Sequence, residues 1–209
     1  MKVFWRYILV RDSDSKKSVQ ILEAAARLMQ KKSFKDLSMD ELAAEAGVAK
    51  GTLYLYFRSK GDIFLSLLME GVSELADLVR DVEKTNLSTA KEKIEAILNS
   101  SLKLMKTKNR VLRLPILAIP GATPEELEDG LRTDFFPAVD ALKTKLANIF
   151  EQGINNGEFR NLSSYRLAGM FIHLLEYCYV QTLVLSDRPG TPADEIPFVK
   201  DIFFKGILT

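Results

Sequence analysis

Residues 37–64 read LSMDELAAEAGVAKGTLYLYFRSKGDIF, and the fold follows from how this stretch starts and stops its helices. Ser38-Met39-Asp40-Glu41 has the Ser-x-x-Glu spacing of a capping box. In it the Ser38 hydroxyl accepts from the Glu41 amide while the Glu41 carboxylate reaches back to Ser38. A short helix is therefore predicted from there to about Ala46. Gly47-Val48-Ala49 is a three-residue turn, with glycine where a left-handed conformation ends a helix. A third helix follows from Lys50 to about Tyr56. Upstream, Val19, Leu22, Ala26 and Met29 lie on one face of a helix predicted from Ser15 to Lys32, broken at Ser33 to Leu37.

Two short helices joined by a three-residue turn, with another helix in front, form a helix-turn-helix unit, whose second helix fits the major groove of DNA. Leu53 and Phe57, four apart, are expected to pack inward beside Leu42 and Val48. The opposite side then offers Lys50, Thr52, Tyr54 and Tyr56 to DNA. Gly51 allows close approach of the backbone, and the amides at the helix start suit a phosphate. Ser38 and Lys60 are placed to meet phosphates at the starts of the second and fourth helices. The candidate DNA-binding residues are thus Ser38, Ala49, Lys50, Gly51, Thr52, Tyr54, Leu55, Tyr56 and Lys60.

Charge supports this partner. The chain carries 29 Lys and Arg against 28 Asp and Glu, a balance that says little. Residues 1–60, however, hold 12 basic and 7 acidic side chains, and the remainder 17 and 21. A basic head thus joins an acidic body. With 209 residues, 47% hydrophobic and 27% charged, the composition is that of a globular protein and excludes disorder over most of the length. One cysteine, Cys178, cannot form an intramolecular disulfide and fits a reducing cytosol, so a cytoplasmic location is expected. The N-terminal MKVFWRYILVRD is interrupted by Arg6 and reads as an arm or an upstream start-site extension. Arg6, Arg11, Lys16 and Lys17 either track the DNA or stand solvated. The apolar stretch Ala168 to Leu185 contains His173, Glu176 and Gln181 and reads as a buried helix, not a membrane span.

Helical signals run to the end, and no stretch alternates as a strand would. The fold class expected is all-α with about nine helices and no internal repeat. A long helix from Lys60 to about Lys84 keeps Phe64, Leu68, Leu75, Val79 and Val82 in register. Another from Ser88 carries Ile94, Ile97, Leu98, Leu102 and Met105, after which Pro115 and Pro120 bend or end the segment. Thr123-Pro124-Glu125-Glu126 starts a helix. Further helices are predicted from Phe136 to Ile154, ending at Asn155-Asn156-Gly157, from Ser163 to Ser186, and from Phe198 to Leu208. The domains read as an arm (1–14), a helix-turn-helix head (15–60), a connecting helix (61–84) and a helical body (85–209).

From Val19 to about Met69 the sequence resembles the DNA-binding domain of the TetR (tetracycline repressor-like) family of transcriptional regulators. Ser-x-x-Glu-Leu-Ala, Gly-Val-Ala, Gly-Thr-Leu-Tyr-x-Tyr-Phe and Ser-Lys-Gly-Asp occur together with that family's spacing, over about a quarter of the chain. The apolar N-terminal extension is a departure. The resemblance implies that the body binds an effector and dimerises, and that the helices flanking Gly-Ile-Asn-Asn-Gly-Glu-Phe (153–159) build the dimer interface. A two-fold homodimer implies a palindromic operator on double-stranded DNA. The function expected is that of a repressor released by a small lipophilic ligand.

Candidate effector-pocket residues are Leu102, Met105, Phe136, Phe171, His173, Leu174, Tyr177 and Cys178, an apolar and aromatic set without an Arg or Lys cluster. An uncharged or cationic lipophilic effector is expected. One His without partners at ligand spacing makes no metal site, Cys178 reads as an apolar filler, and no cofactor is expected. A single His, a single Cys, and neither a phosphate loop after a strand nor a Ser nucleophile motif speak against an enzyme. A body that binds a protein partner instead of a small molecule stays open. The connecting helix spans about 37 Å at 1.5 Å per residue, long enough to carry a displacement from body to head.

Overall fold

The structure, a computed structural model, describes residues 12–29, 32, 34–108, 125–179, 181 and 195–209. Arg6, Arg11, Ser33, Pro115, Pro120 and the Thr123-Pro124 start signal lie outside the described residues, as does the side chain of Met105. The elements in order are α1 (Asp12–Met29), a 3-10 turn (Phe34–Asp36), α2 (Met39–Glu45), α3 (Lys50–Tyr56), α4 (Lys60–Glu83) and α5 (Ala90–Lys108). They continue with α6 (Glu125–Gly130), a π turn (Leu131–Phe135), α7 (Phe136–Asn155), α8 (Ser164–Tyr179) and α9 (Glu195–Ile207). The all-α class holds: among the described residues strand pairing is limited to one isolated bridge, Phe159 with Leu208. The helix α1 starts at Asp12, three residues before the expected Ser15, so the end of the arm is helical. Among the described residues no helix is long and apolar enough to cross a membrane.

The chain forms two compact units, residues 1–70 with 119–137, and residues 71–118 with 138–209. The first holds a small core to which α1 to α4 all contribute, through Ile21, Leu22, Leu42, Leu53, Phe57, Ile63 and Leu67. Ala24, Ala25, Ala26, Ala43 and Ala46 complete it, and their short side chains let the helices approach closely. In the same unit Gly130 packs on α4: a Cβ there would stand 2.3 Å from Leu65 Cδ2. Leu127, Leu131 and Phe135 are buried beside it in sequence, one turn apart.

The core of the second unit is formed by Leu75, Val79, Ile94, Ile97, Leu98, Leu146, Phe150, Phe159, Phe171 and Leu175. Phe150 is its aromatic centre, with ring centroids of Phe159 and Phe171 at 5.7 and 6.1 Å. Such tilted and edge-on pairs are favourable beyond the area they bury. The loop between α7 and α8 ties this unit together. Gly157 takes φ +73 and turns the chain, after which Glu158 accepts from the amides of Ala90 (3.1 Å) and Lys91 (3.0 Å) at the start of α5. A carboxylate there satisfies amides that have no partner inside the helix and offsets its dipole. Arg160 then donates from its backbone to Ile207 O and from its guanidinium to Gly206 O, both at 2.8 Å, closing the end of α9.

Candidate nucleic-acid interface

The capping box forms as its residue types require. Ser38 Oγ accepts from the Glu41 amide at 3.2 Å, and Glu41 Oε2 accepts from the Ser38 amide at 3.1 Å. Lys32 also pairs with Glu41, and its ammonium, with the Ser38 amide second, holds the Glu41 carboxyl below the usual carboxylate range. At the other end α2 closes in a Schellman motif: Gly47 N donates to Ala44 O (3.1 Å) and Val48 N to Ala43 O (3.0 Å). Gly47 stands at φ +64, a conformation that costs an ordinary residue roughly 1–2 kcal/mol. Gln20 of α1 donates to Ala46 O at 2.7 Å, which fixes the turn to the helix in front of it.

That turn sets the face α3 presents. Leu53 is fully buried and Phe57 nearly so, and Tyr56 is half-buried against the same core. Lys50, Gly51, Tyr54 and Leu55 are exposed, at i, i+1, i+4 and i+5, and make one continuous strip. Tyr54 is 45% and Leu55 85% exposed. Thr52 lies at the margin, half-buried, and Ala49 caps the helix without a side-chain hydrogen bond. The structure thus brings together Ser38, Ala49, Lys50, Gly51, Thr52, Tyr54 and Leu55 along α2 and α3, and turns Tyr56 partly away.

Two cations are engaged within the protein. Lys50 Nζ lies 2.6 Å from Asp40 Oδ1, and the carboxylate raises the Lys50 pKa above its ordinary value. Lys60 Nζ donates to Phe34 O (3.2 Å), Lys35 O (3.3 Å) and Leu37 O (3.3 Å) and sits 4.8 Å from the Phe34 ring centroid. Its three N–H donors are directed at two carbonyls of the 3-10 turn and that of Leu37 just after it, whereas the sequence predicts a phosphate contact for this side chain. Asp40 and the 3-10 carbonyls were not found from the sequence. Asp40 precedes Lys50 by ten residues across a turn, and no local spacing relates them. A second cap was also missed, although the sequence contains its signal. Ser59-Lys60-Gly61-Asp62 repeats the Ser-x-x-acid pattern, with Asp62 N donating to Ser59 Oγ (3.2 Å) and Arg58 N to Asp62 Oδ2 (3.0 Å).

The body candidates divide by helical face. On α8, Phe171, Leu174 and Cys178 are buried. His173 and Tyr177 fall on the exposed side with Met170, and His173 Nδ1 lies 2.8 Å from Glu176 Oε2. Leu102 of α5 is half-buried. Phe136, in the first unit, is exposed and stacks edge-on against buried Phe135 at 5.7 Å. Burial pushes the Cys178 thiol up to about 11, which suits a filler and not a reactive thiolate. Among the described residues no group of three His, Cys, Asp or Glu could hold a metal ion.

Comparison with known proteins agrees with this geometry. Residues 21–67 match the family model of bacterial regulatory proteins, tetR family. Over 172 residues the chain is 27% identical to the fatty acid metabolism regulator protein of Bacillus subtilis (strain 168), covering 82% of this chain and 86% of that one. Its fold is similar to that of the transcriptional regulator FadR from Bacillus subtilis in complex with stearoyl-CoA, with TM-score 0.67 and 22% identity over 90% of this chain and 98% of that one. It is similar also to a protein from Saccharomonospora viridis in complex with choline, with TM-score 0.68 and 22% identity over 93% and 99%. These relatives are regulators or carry the regulators' fold, and the region of this chain that matches the family model is the one whose caps, turn and exposed strip are described above. Over residues 21–67 the chain thus matches the tetR family of bacterial regulatory proteins, and over most of its length it is similar to a regulator of fatty acid metabolism.

Proposed function

We propose that the protein is a homodimeric repressor that binds an inverted-repeat operator through α3 and leaves it when the body takes up a lipophilic small molecule. The observation that carries the DNA half of this reading is the strip Lys50, Gly51, Tyr54 and Leu55, exposed on a helix whose other side is locked by Leu53 and Phe57. A helix so anchored can enter a major groove without unpacking the head. Lys50 and Ser38 contact phosphates beside the groove, Tyr54 reaches base edges or the sugar-phosphate rim, and Ala49 and Thr52 line the approach.

The dimer forms on the exposed face of α8 with α7. That face carries Met170 and Tyr177, large apolar or amphipathic groups seven residues apart and so two turns along one side of the helix, which a second copy packed as a four-helix bundle would cover. Two heads related by a two-fold axis then require two half-sites. The effector is an acyl chain joined to a polar carrier. The aromatic and aliphatic residues of the second unit and the stearoyl-CoA held by the Bacillus subtilis regulator support that class, and Phe171, Leu174, Cys178 and Leu102 are its proposed contacts.

The test is selection of DNA from a random pool by the full chain, followed by fluorescence anisotropy on the selected sequence with and without long-chain acyl-CoA. An inverted repeat, bound by a dimer and released by micromolar acyl-CoA, is the expected result. Release by choline but not by acyl-CoA would reassign the effector. A monomer that selects no sequence would overturn the whole reading.

A further inference from the structure

We infer that Leu55 is a base-reading residue and that the group it reads is the methyl of thymine. The inference deepens the proposal that α3 binds DNA and rests on it. Among the described residues Leu55 is the most exposed large hydrophobic side chain, 85% against at most 59% for the others. An isolated surface leucine is ordinary in itself. Its position on α3 is what makes it informative.

Nothing in the head requires a leucine there. The core of α3 is supplied by Leu53 and Phe57, with Tyr56 at its margin, and Lys, Arg, Gln or Glu would form the helix as well while solvating freely. Leu55 also stands one turn after Gly51. That turn carries, at Gly51, the one residue of α3 without a side chain. Around Gly51 there is open space: a Cβ built there meets nothing within 4 Å. Leu55 by itself therefore forms a small apolar step within the exposed strip, with the bare Gly51 one turn before it and Tyr54 and Lys50 alongside.

The major groove contains few groups that such a step can accept. Base edges there present hydrogen-bond donors and acceptors, which a leucine would strip of water without replacing the bonds. The exception is the C5-methyl of thymine, whose burial against an apolar side chain gains free energy. Leu55 thus favours thymine by contact and disfavours the other bases by desolvation, while Lys50 and Ser38 act on the backbone alike for any sequence.

The test removes the methyl and nothing else. Each thymine of the selected operator is replaced singly by deoxyuridine, and affinity is measured for the full-length wild type and for Leu55→Ala. One position in each half-site is expected to weaken wild-type binding about fourfold on losing its methyl, the value of one buried methyl-sized group. Leu55→Ala, whose removed atoms are solvent-exposed, should keep the wild-type unfolding temperature and bind the thymine and deoxyuridine operators equally. Three results overturn the inference: deoxyuridine tolerated at every position within twofold, Leu55→Ala retaining the wild-type sensitivity to deoxyuridine, or a substituted protein that loses its folded state. Failure to bind any DNA would overturn the DNA-binding proposal as well, which separates it from the first three.

Discussion

Lys60 Nζ holds the carbonyl oxygens of Phe34, Lys35 and Leu37 while standing 4.8 Å from the centre of the Phe34 ring, which in turn packs 5.2 Å from that of Phe64. One ammonium thus joins the start of α4 to the turn that leads into the Ser38 cap. Lys60→Met should lower stability by about 1–2 kcal/mol, the order expected for charge-assisted bonds at a half-buried site. It should weaken operator and random DNA together without changing the salt slope, because the charge is spent on carbonyls. A slope reduced by about one ion would show instead that Lys60 meets a phosphate. Denaturation and a salt series on the same protein separate the two.

Asp40 draws Lys50 across the helix-turn-helix at 2.6 Å. Asp40→Asn removes a negative charge from the side offered to DNA and frees a positive one. Affinity for operator and random DNA should rise roughly threefold in low salt, with a steeper salt dependence. Stability should fall by about 0.3–1 kcal/mol, since an acid in the first turn of α2 favours the helix dipole. Unchanged affinity from 50 to 200 mM salt would place Lys50 away from the phosphates.

Gly153 and Gly157 should respond differently to side chains. A Cβ at Gly153 would meet Phe159 Cδ2 at 2.3 Å and Ala90 Cβ at 2.8 Å, whereas at Gly157 there is space but φ is +73. Gly153→Ala is expected to cost about 1–3 kcal/mol by overpacking, and Gly153→Asn more. Gly157→Ala should cost about 1–2 kcal/mol through the backbone alone, and Gly157→Asn less, because asparagine tolerates the left-handed region. Urea unfolding of the four variants tests the ordering.

Cys178 should be nearly inert. Burial holds its thiol at about 11 against an ordinary 9.0, so at pH 8 the native protein carries roughly a hundredfold less thiolate than an exposed cysteine would. Iodoacetamide should label it at least that much more slowly in buffer than in 8 M urea. Comparable rates in the two would mean that α8 opens readily.

The parts legible from sequence are those whose cause is local. The helix α3 was read at both ends, Lys50 and Tyr56, because the Gly47 turn and the Leu53–Phe57 spacing lie within ten residues of it. Ser38 with Glu41, and Gly157 before Phe159, are likewise local signals. The start of α1 was misplaced because Ser15 makes a plausible cap, while Asp12 and Asp14 favour a helix already under way. The employment of Lys60 was hidden for another reason: its carbonyl partners are 23–26 residues away, and only the folded head brings them near. On α8 the residues are apolar on nearly every side, so hydrophobicity alone could not tell buried Phe171, Leu174 and Cys178 from exposed Met170 and Tyr177.

The alanine-lined core of the head carries a consequence for recombination between relatives. Ile63 and Leu67 are members of that core although they follow Lys60, the last residue of the helix-turn-helix head, by about one and two turns. A cut just after Lys60 would therefore graft a head whose hydrophobic seat has been left on the donor. The seam at which one regulator's DNA specificity can be transplanted onto another's body must fall beyond Leu67, inside an unbroken helix. Chimeras with similar regulators should accordingly be joined in mid-helix and in register, with three or four residues of slip turning Ile63 and Leu67 by no more than a fraction of a turn and one or two residues rotating them out of the core.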